Sequence, residues 1–241
     1  KKTRSVLGEN NEKGSVVIMN PKNGEILSMV SLPDFNSQNI AQDMAQINKN
    51  NNGALFNNST LGKFAPGSVF KIVSADAILE SGISQNYNDK GTEKIDNGRE
   101  FKNSTGKAYG RINLKTAFTH SVNTYFVRKT VDVGLDIYSN VCQKFMINKK
   151  VDFDLPLETS TWDYNRQGFD KTALGSAGIG HDNILVTPLE MCMITSAIAN
   201  DGVMMKPHLV KAINGSDGKN ILINNPEVLS ECTSKENANI I

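Results

Sequence analysis

Pro66-Gly67-Ser68-Val69-Phe70-Lys71, continued by Ile72-Val73-Ser74-Ala75-Asp76-Ala77-Ile78-Leu79, is the stretch on which the reading of this chain turns. Ser68 and Lys71 are three positions apart, so on a helix they lie one turn apart on the same face. From Val69 through Leu79 apolar residues occupy nearly every side, which predicts a helix buried in a core. Pro66 and Gly67 suit its entry and Gly82 its exit. Ser68 then falls in the first turn, where unpaired backbone N–H groups and the helix dipole favour negative charge near its oxygen. A serine hydroxyl becomes a nucleophile when a base takes its proton, and Lys71 is the titratable side chain that local geometry places for the task. To act as a base it must be neutral, so the reading requires burial or a neighbouring cation to lower its pKa from about 10.4.

Fifty residues on, the chain reads Thr119-His120-Ser121-Val122-Asn123-Thr124, with apolar residues on both sides that predict two helical segments. Positions two apart on a continuous helix point in different directions, so Ser121 and Asn123 share a site only if the helix breaks there. Serine and asparagine favour such breaks because their side chains compete for backbone hydrogen bonds. Taken alone, the pair also suits two capping residues.

Together with their surroundings, these motifs resemble the transpeptidase domain of the penicillin-binding proteins, in which Ser-x-x-Lys is paired with a second serine motif. The resemblance runs through Gly14–Phe35, which looks like an opening hairpin, through Asn58–Lys71, and through Gly178–Glu190 and Ala197–Gly202, which are similar to a landmark of the monofunctional class B members. It implies a mixed α/β fold, an antiparallel sheet packed with helices, and a peptidoglycan D,D-transpeptidase or carboxypeptidase. Ser68 would attack a D-Ala-D-Ala stem peptide, Lys71 would be the base, Ser121 would relay a proton, and Asn123 would bind the substrate amide. β-Lactams would acylate the same serine. The same resemblance implies the outer face of a bacterial membrane, reached through an anchor upstream, and partners in cell-wall synthesis. It implies no cofactor and no metal.

The family's third motif, Lys-Thr-Gly or Lys-Ser-Gly on a strand, is expected after Ala197–Asn200 and is not found before Ile241. Lys171-Thr172-Ala173 lacks the glycine that lets a substrate approach a strand closely and precedes the landmark. The expectation is therefore a lead-in at 1–13 and a transpeptidase domain at 14–241 whose last strands are missing, with weak acylation at most. A serine β-lactamase, a β-lactam sensor and a non-catalytic scaffold remain rival readings, although no Glu-x-x-Leu-Asn deacylation segment is present.

The opening hairpin is read as Ser15–Asn20 and Glu25–Ser31 around Pro21-Lys22-Asn23-Gly24, with apolar runs that suggest burial on both faces. Asn-rich 36–58 and Gly-rich 83–110 read as solvated excursions, the second near the mouth of a cleft. A net charge of +1 without a basic stripe argues against nucleic acid. No apolar run approaches eighteen residues, so no membrane span is expected within the chain. Cys142, Cys192 and Cys232 lack metal-ligand or disulfide spacing, and Cys192 reads as a core residue. Thr187 and Glu190, with Pro188 between them, read as a capping box. Gly175, Gly178 and Gly180 have the wrong order for a dinucleotide loop. None of His120, His181 and His208 is placed by the sequence beside Ser68.

Overall fold

The computed structural model describes residues 13–50 and 53–241, so most of the expected lead-in lies outside the described residues. Strands β1 (Gly14–Met19) and β2 (Ile26–Leu32) pair antiparallel, with Val16 opposite Val30 and a register shift between Ile18 and Met19. The expected burial on both faces is not found: Ile18 is 50% and Leu27 62% exposed. A helix covers one face of the hairpin only, which the apolar run could not reveal. The excursion after the hairpin contains helix α1 (Ile40–Asn50), which buries none of its residues. It ends on an anchor, because Asn58 donates to the Leu32 carbonyl at 2.9 Å and Ser59 to that of Val30 at 3.2 Å.

A 3-10 turn, Gly67–Phe70, leads directly into helix α2 (Lys71–Ser81). Val73 through Ile78 are buried and Gly82 closes the helix at φ +68°, in the left-handed conformation that glycine adopts without steric cost. Val69 departs from expectation at 55% exposed, because the tighter opening turn rotates it outward. Next come β3 (Tyr87–Asp89), β4 (Thr92–Lys94), β5 (Glu100–Lys102) and β6 (Gly110–Ile112), with β3 paired to β6 and β4 to β5. Helices α3 (Leu114–Thr119), α4 (Asn123–Val133), α5 (Leu135–Lys144), α6 (Lys171–Ala177) and α7 (Pro188–Ala199) complete the helical core around α2. Helix α7 packs against β1 and holds the hairpin on that core.

The chain then forms β7 (Val203–Met205), the hairpin β8 (Ala212–Asn214) and β9 (Asn220–Ile223), strand β10 (Val228–Glu231) on β7, and helix α8 (Lys235–Ile240). Among the described residues every sheet is a two-stranded antiparallel pair, so the architecture is mixed α/β with helices carrying the core. Ser74 ties its centre together, 2.9 Å from Tyr138 Oη and donating to the Gly178 carbonyl at 2.9 Å. The glycines at 175 and 178 serve this packing. A Cβ on Gly178 would lie 2.2 Å from Thr130 Oγ1, and one on Gly175 2.9 Å from Val127 Cγ1, so α6 can approach α4 only where side chains are absent.

Candidate active site

Ser68 sits on the second residue of the 3-10 turn and is exposed, whereas Lys71, the first residue of α2, is 2% exposed. The amine of Lys71 is the hub of the site. Its Nζ lies 3.2 Å from Ser68 Oγ, 2.9 Å from Ser121 Oγ, 2.9 Å from the Ser121 carbonyl and 2.7 Å from Asn123 Oδ1. The Phe126 ring closes the site beneath it, 5.5 Å from Nζ to the ring centroid. All four residues singled out from the sequence therefore converge on one point.

Burial pushes the Lys71 amine down to about 8, with no carboxylate contributing. The hydrogen-bond inventory accommodates the amine with or without its third proton. The Ser121 carbonyl and Asn123 Oδ1 are pure acceptors here and use two N–H groups, which leaves the lone pair of a neutral amine for a serine hydroxyl proton. An ammonium would have three donors facing four oxygens and no lone pair. The Ser68 contact is within the reach a general base requires.

The broken helix is the Ser121 turn. The Val122 N–H donates to the Ala117 carbonyl at 2.9 Å and the Ser121 N–H to that of Phe118 at 3.1 Å, the double closure of a Schellman motif after α3. Its left-handed position, where glycine is usual, is Ser121 at φ +52°. A non-glycine residue there is strained, on the order of 1 kcal/mol or more, and the strain is held where the side chain must face Lys71. Asn123 then opens α4, with its Nδ2 donating to the Lys102 carbonyl at 3.0 Å and its oxygen left for Lys71.

On the other side, the Gly67 N–H donates to the Gly180 carbonyl at 3.0 Å, fixing the turn that carries Ser68. Gly180 has φ +72°, and a Cβ there would lie 2.1 Å from the Gly67 oxygen. Gly180→Ala is expected to destabilise the protein by more than about 1 kcal/mol and to displace Ser68. Urea melts beside a β-lactam acylation assay check this, and a variant unchanged in both would show that the contact is dispensable. The loop is held from behind by Asp182, which accepts from Arg166 at 2.5 and 3.0 Å and from Trp162 Nε1 at 3.4 Å.

His120 stacks on Tyr109 with centroids 5.3 Å apart and is absent from the Lys71 network. His181 is exposed beside the Gly180 turn, and His208 pairs with Glu25 at the hairpin. Lys171-Thr172-Ala173 opens helix α6 and lies on no strand. The three cysteines are free, and Cys192 is half-buried against β1, with Sγ 3.8 Å from the Val17 carbonyl. Among the described residues no cluster of ligating side chains forms, and no helix is long and apolar enough to cross a membrane. The roles of Phe126, Gly180 and the Lys102 carbonyl were not visible in the sequence, because each depends on a contact between distant segments.

A serine on a helical turn, a buried amine one turn on, and a Ser-x-Asn turn meeting that amine define the class of domains built on Ser-x-x-Lys and Ser-x-Asn motifs. The chain belongs to the penicillin binding protein transpeptidase domain family, whose model matches residues 14–240. It is 30% identical over 231 residues to the peptidoglycan D,D-transpeptidase PbpA of Mycolicibacterium smegmatis, covering 89% of this chain and 46% of that protein. With the peptidoglycan D,D-transpeptidase MrdA of Escherichia coli K12 it shares 26% identity over 230 residues, 87% of this chain and 36% of that protein. Among solved structures, the penicillin G acyl-enzyme complex of penicillin-binding protein A from M. tuberculosis matches with a TM-score of 0.86 and 28% identity, covering 94% of this chain and 55% of that one. The D,D-transpeptidase domain of a peptidoglycan glycosyltransferase from Eggerthella lenta matches with a TM-score of 0.89 and 30% identity, covering 98% and 60% respectively. The chain thus spans less than half the length of these two curated relatives.

Proposed function

We propose that residues 14–241 carry the acyl-transfer site of a peptidoglycan D,D-transpeptidase acting on the outer face of the bacterial membrane, and that β-lactams acylate it. The observation that carries this reading is the Lys71 amine, buried and shared between the hydroxyls of Ser68 and Ser121.

Ser68 Oγ attacks the carbonyl between the two D-alanines while its proton passes to the lone pair of Lys71. The oxyanion that forms sits at the opening turn of a helix, where backbone N–H groups favour negative charge, the Ser68 N–H among them. Lys71 returns the proton through Ser121 Oγ to the departing D-alanine nitrogen, the C–N bond breaks, and an ester to Ser68 remains. An amine of a second stem peptide then attacks the ester and gives up a proton to Lys71, which passes it to Ser68 Oγ as the acyl C–O bond breaks. Asn123 offers its amide at the edge of the site to the substrate backbone.

Intact mass after incubation with penicillin G tests the reading on the protein at its natural length. One adduct per molecule is expected, lost in Ser68→Ala. A natural-length protein that takes up no penicillin would point to a scaffold that keeps the fold without the chemistry, and rapid loss of the adduct would point to a β-lactamase.

A further inference from the structure

Val122 precedes α4 at the N-cap position and its side chain cannot cap the helix. The capping is supplied from elsewhere: Asn103 Oδ1, beyond β5, accepts from the Thr124 N–H at 3.2 Å. Asn103 is itself held by Asp89, at the end of β3, whose Oδ2 accepts from Asn103 Nδ2 at 2.9 Å. The same carboxylate accepts from the Tyr109 N–H at 2.8 Å, the Gly91 N–H at 2.9 Å and Thr124 Oγ1 at 2.7 Å. Asp89 is 2% exposed, Asn103 5% and Thr124 0%, and no lysine or arginine pairs with the carboxylate among the described residues. Four donors and the N-terminal end of an eleven-residue helix take the place of a cation.

We infer that Asp89 and Asn103 are positioning residues for the site, acting through Asn123; the inference rests on the function proposed above. Lys102 and Asn103 are consecutive, as are Asn123 and Thr124, so the two segments are joined twice. Asn103 takes the Thr124 N–H, and the Lys102 carbonyl takes Asn123 Nδ2. The second bond orients the Asn123 amide, because it holds the NH2 end outward and leaves Oδ1 for Lys71 Nζ. Asp89 fixes Asn103 and thereby the register of Lys102. The path from the buried carboxylate to Lys71 runs through named hydrogen bonds and the peptide links Lys102–Asn103 and Asn123–Thr124. A side chain that only docked the excursion would need none of this, and Arg128 does that work already, holding Glu93 through Nε at 2.9 Å.

Asp89→Asn keeps the size of the side chain but presents an NH2 group to donors. Its test has two arms on the natural-length protein, with Thr124→Val as a second clamp variant and Arg128→Gln as a docking control. In the first, the rate constant for acylation by penicillin G within the complex is separated from the final adduct stoichiometry. The clamp variants are expected to acylate completely but at least tenfold more slowly, and Arg128→Gln at the wild-type rate. In the second, amide hydrogen exchange is followed by peptide mass, and residues 121–125 are expected to exchange at least tenfold faster in Asp89→Asn, with the second half of α4 unchanged. A fall in stoichiometry at an unchanged rate constant would mark a purely structural role and overturn the inference, as would unchanged exchange at 121–125. Should the wild type itself fail to acylate, the function proposed above falls, and the exchange arm alone decides the clamp.

Discussion

Lys71→Arg and Lys71→Met are both expected to lower the acylation rate of the natural-length protein by at least about 100-fold, the scale on which a general base contributes. The arginine variant is the more telling. It keeps the positive charge and the donors, so an account in which Lys71 merely attracts an anionic ligand predicts that it works. Guanidinium does not deprotonate in proteins, so an account in which Lys71 takes the Ser68 proton predicts that it fails. In the second account, burial is what makes the amine available as a base. With the amine at about 8, roughly one molecule in ten is neutral at pH 7, some 300-fold more than at the ordinary lysine value of 10.5. The active species is the deprotonated one, so the acylation rate of the wild type is expected to rise with pH and to level off above about 8. Stopped-flow acylation from pH 6 to 10 checks the profile, and melting temperatures check that both variants fold. A rate in Lys71→Arg within threefold of wild type would remove Lys71 from the role of base.

The chemistry of the site was legible because it is local. Ser68 and Lys71 lie within one turn, and the apolar run that follows Lys71 in sequence marks the helix that seats it in the core. The Ser121 break was legible for a different reason: two apolar helical patterns met at residues that disfavour helix interiors, and a Schellman turn resolved them. What the sequence misplaced was anything set by the opposite wall. The 3-10 turn that carries Ser68 is tied by the Gly67 to Gly180 bond between loops more than a hundred residues apart. The hairpin reads as doubly buried because apolar runs report what a strand could bury, not what covers it. Residues 83–110 read as solvated excursion, which their glycines and charges justify, yet three of their polar groups, Asp89, Lys102 and Asn103, anchor the second motif. Buried polar residues in a polar stretch carry no distinguishing signal until their partners are known.

Glu190→Gln is expected to change the pH dependence of stability more than any other single substitution away from the site. The capping box read from Thr187 and Glu190 is only half made. Thr187 Oγ1 accepts from the Glu190 N–H at 3.1 Å, but the Thr187 N–H donates to Ser160 Oγ at 3.2 Å, and the Glu190 side chain turns into the core, 3% exposed, with Oε1 unpartnered. Two effects oppose each other there. The N-terminus of α7 favours a carboxylate by about 0.3–2 kcal/mol, whereas an uncompensated buried charge costs several kcal/mol. Burial wins and pushes the carboxyl up to about 8. Below pH 4.5 the folded and unfolded chains both keep this proton, so no linkage arises. From 4.5 to 8 the unfolded chain releases it and the folded chain does not, so stability falls across that window, by an amount on the order of 4 kcal/mol at its upper end. Nearby Asp76, raised to about 6 by burial, adds a loss between its ordinary value of 3.8 and 6 that the variant shares. A glutamine has no such proton to lose, though its amide must bury N–H groups at a cost of about 1–3 kcal/mol. The two stability curves should therefore cross: the variant no better than wild type at pH 4.5 and more stable at pH 8.5, measured by urea melts at constant ionic strength. Parallel curves from pH 5 to 8.5 would mean that Glu190 ionises in the folded protein like an ordinary surface carboxylate, and that an internal partner stabilises its charge.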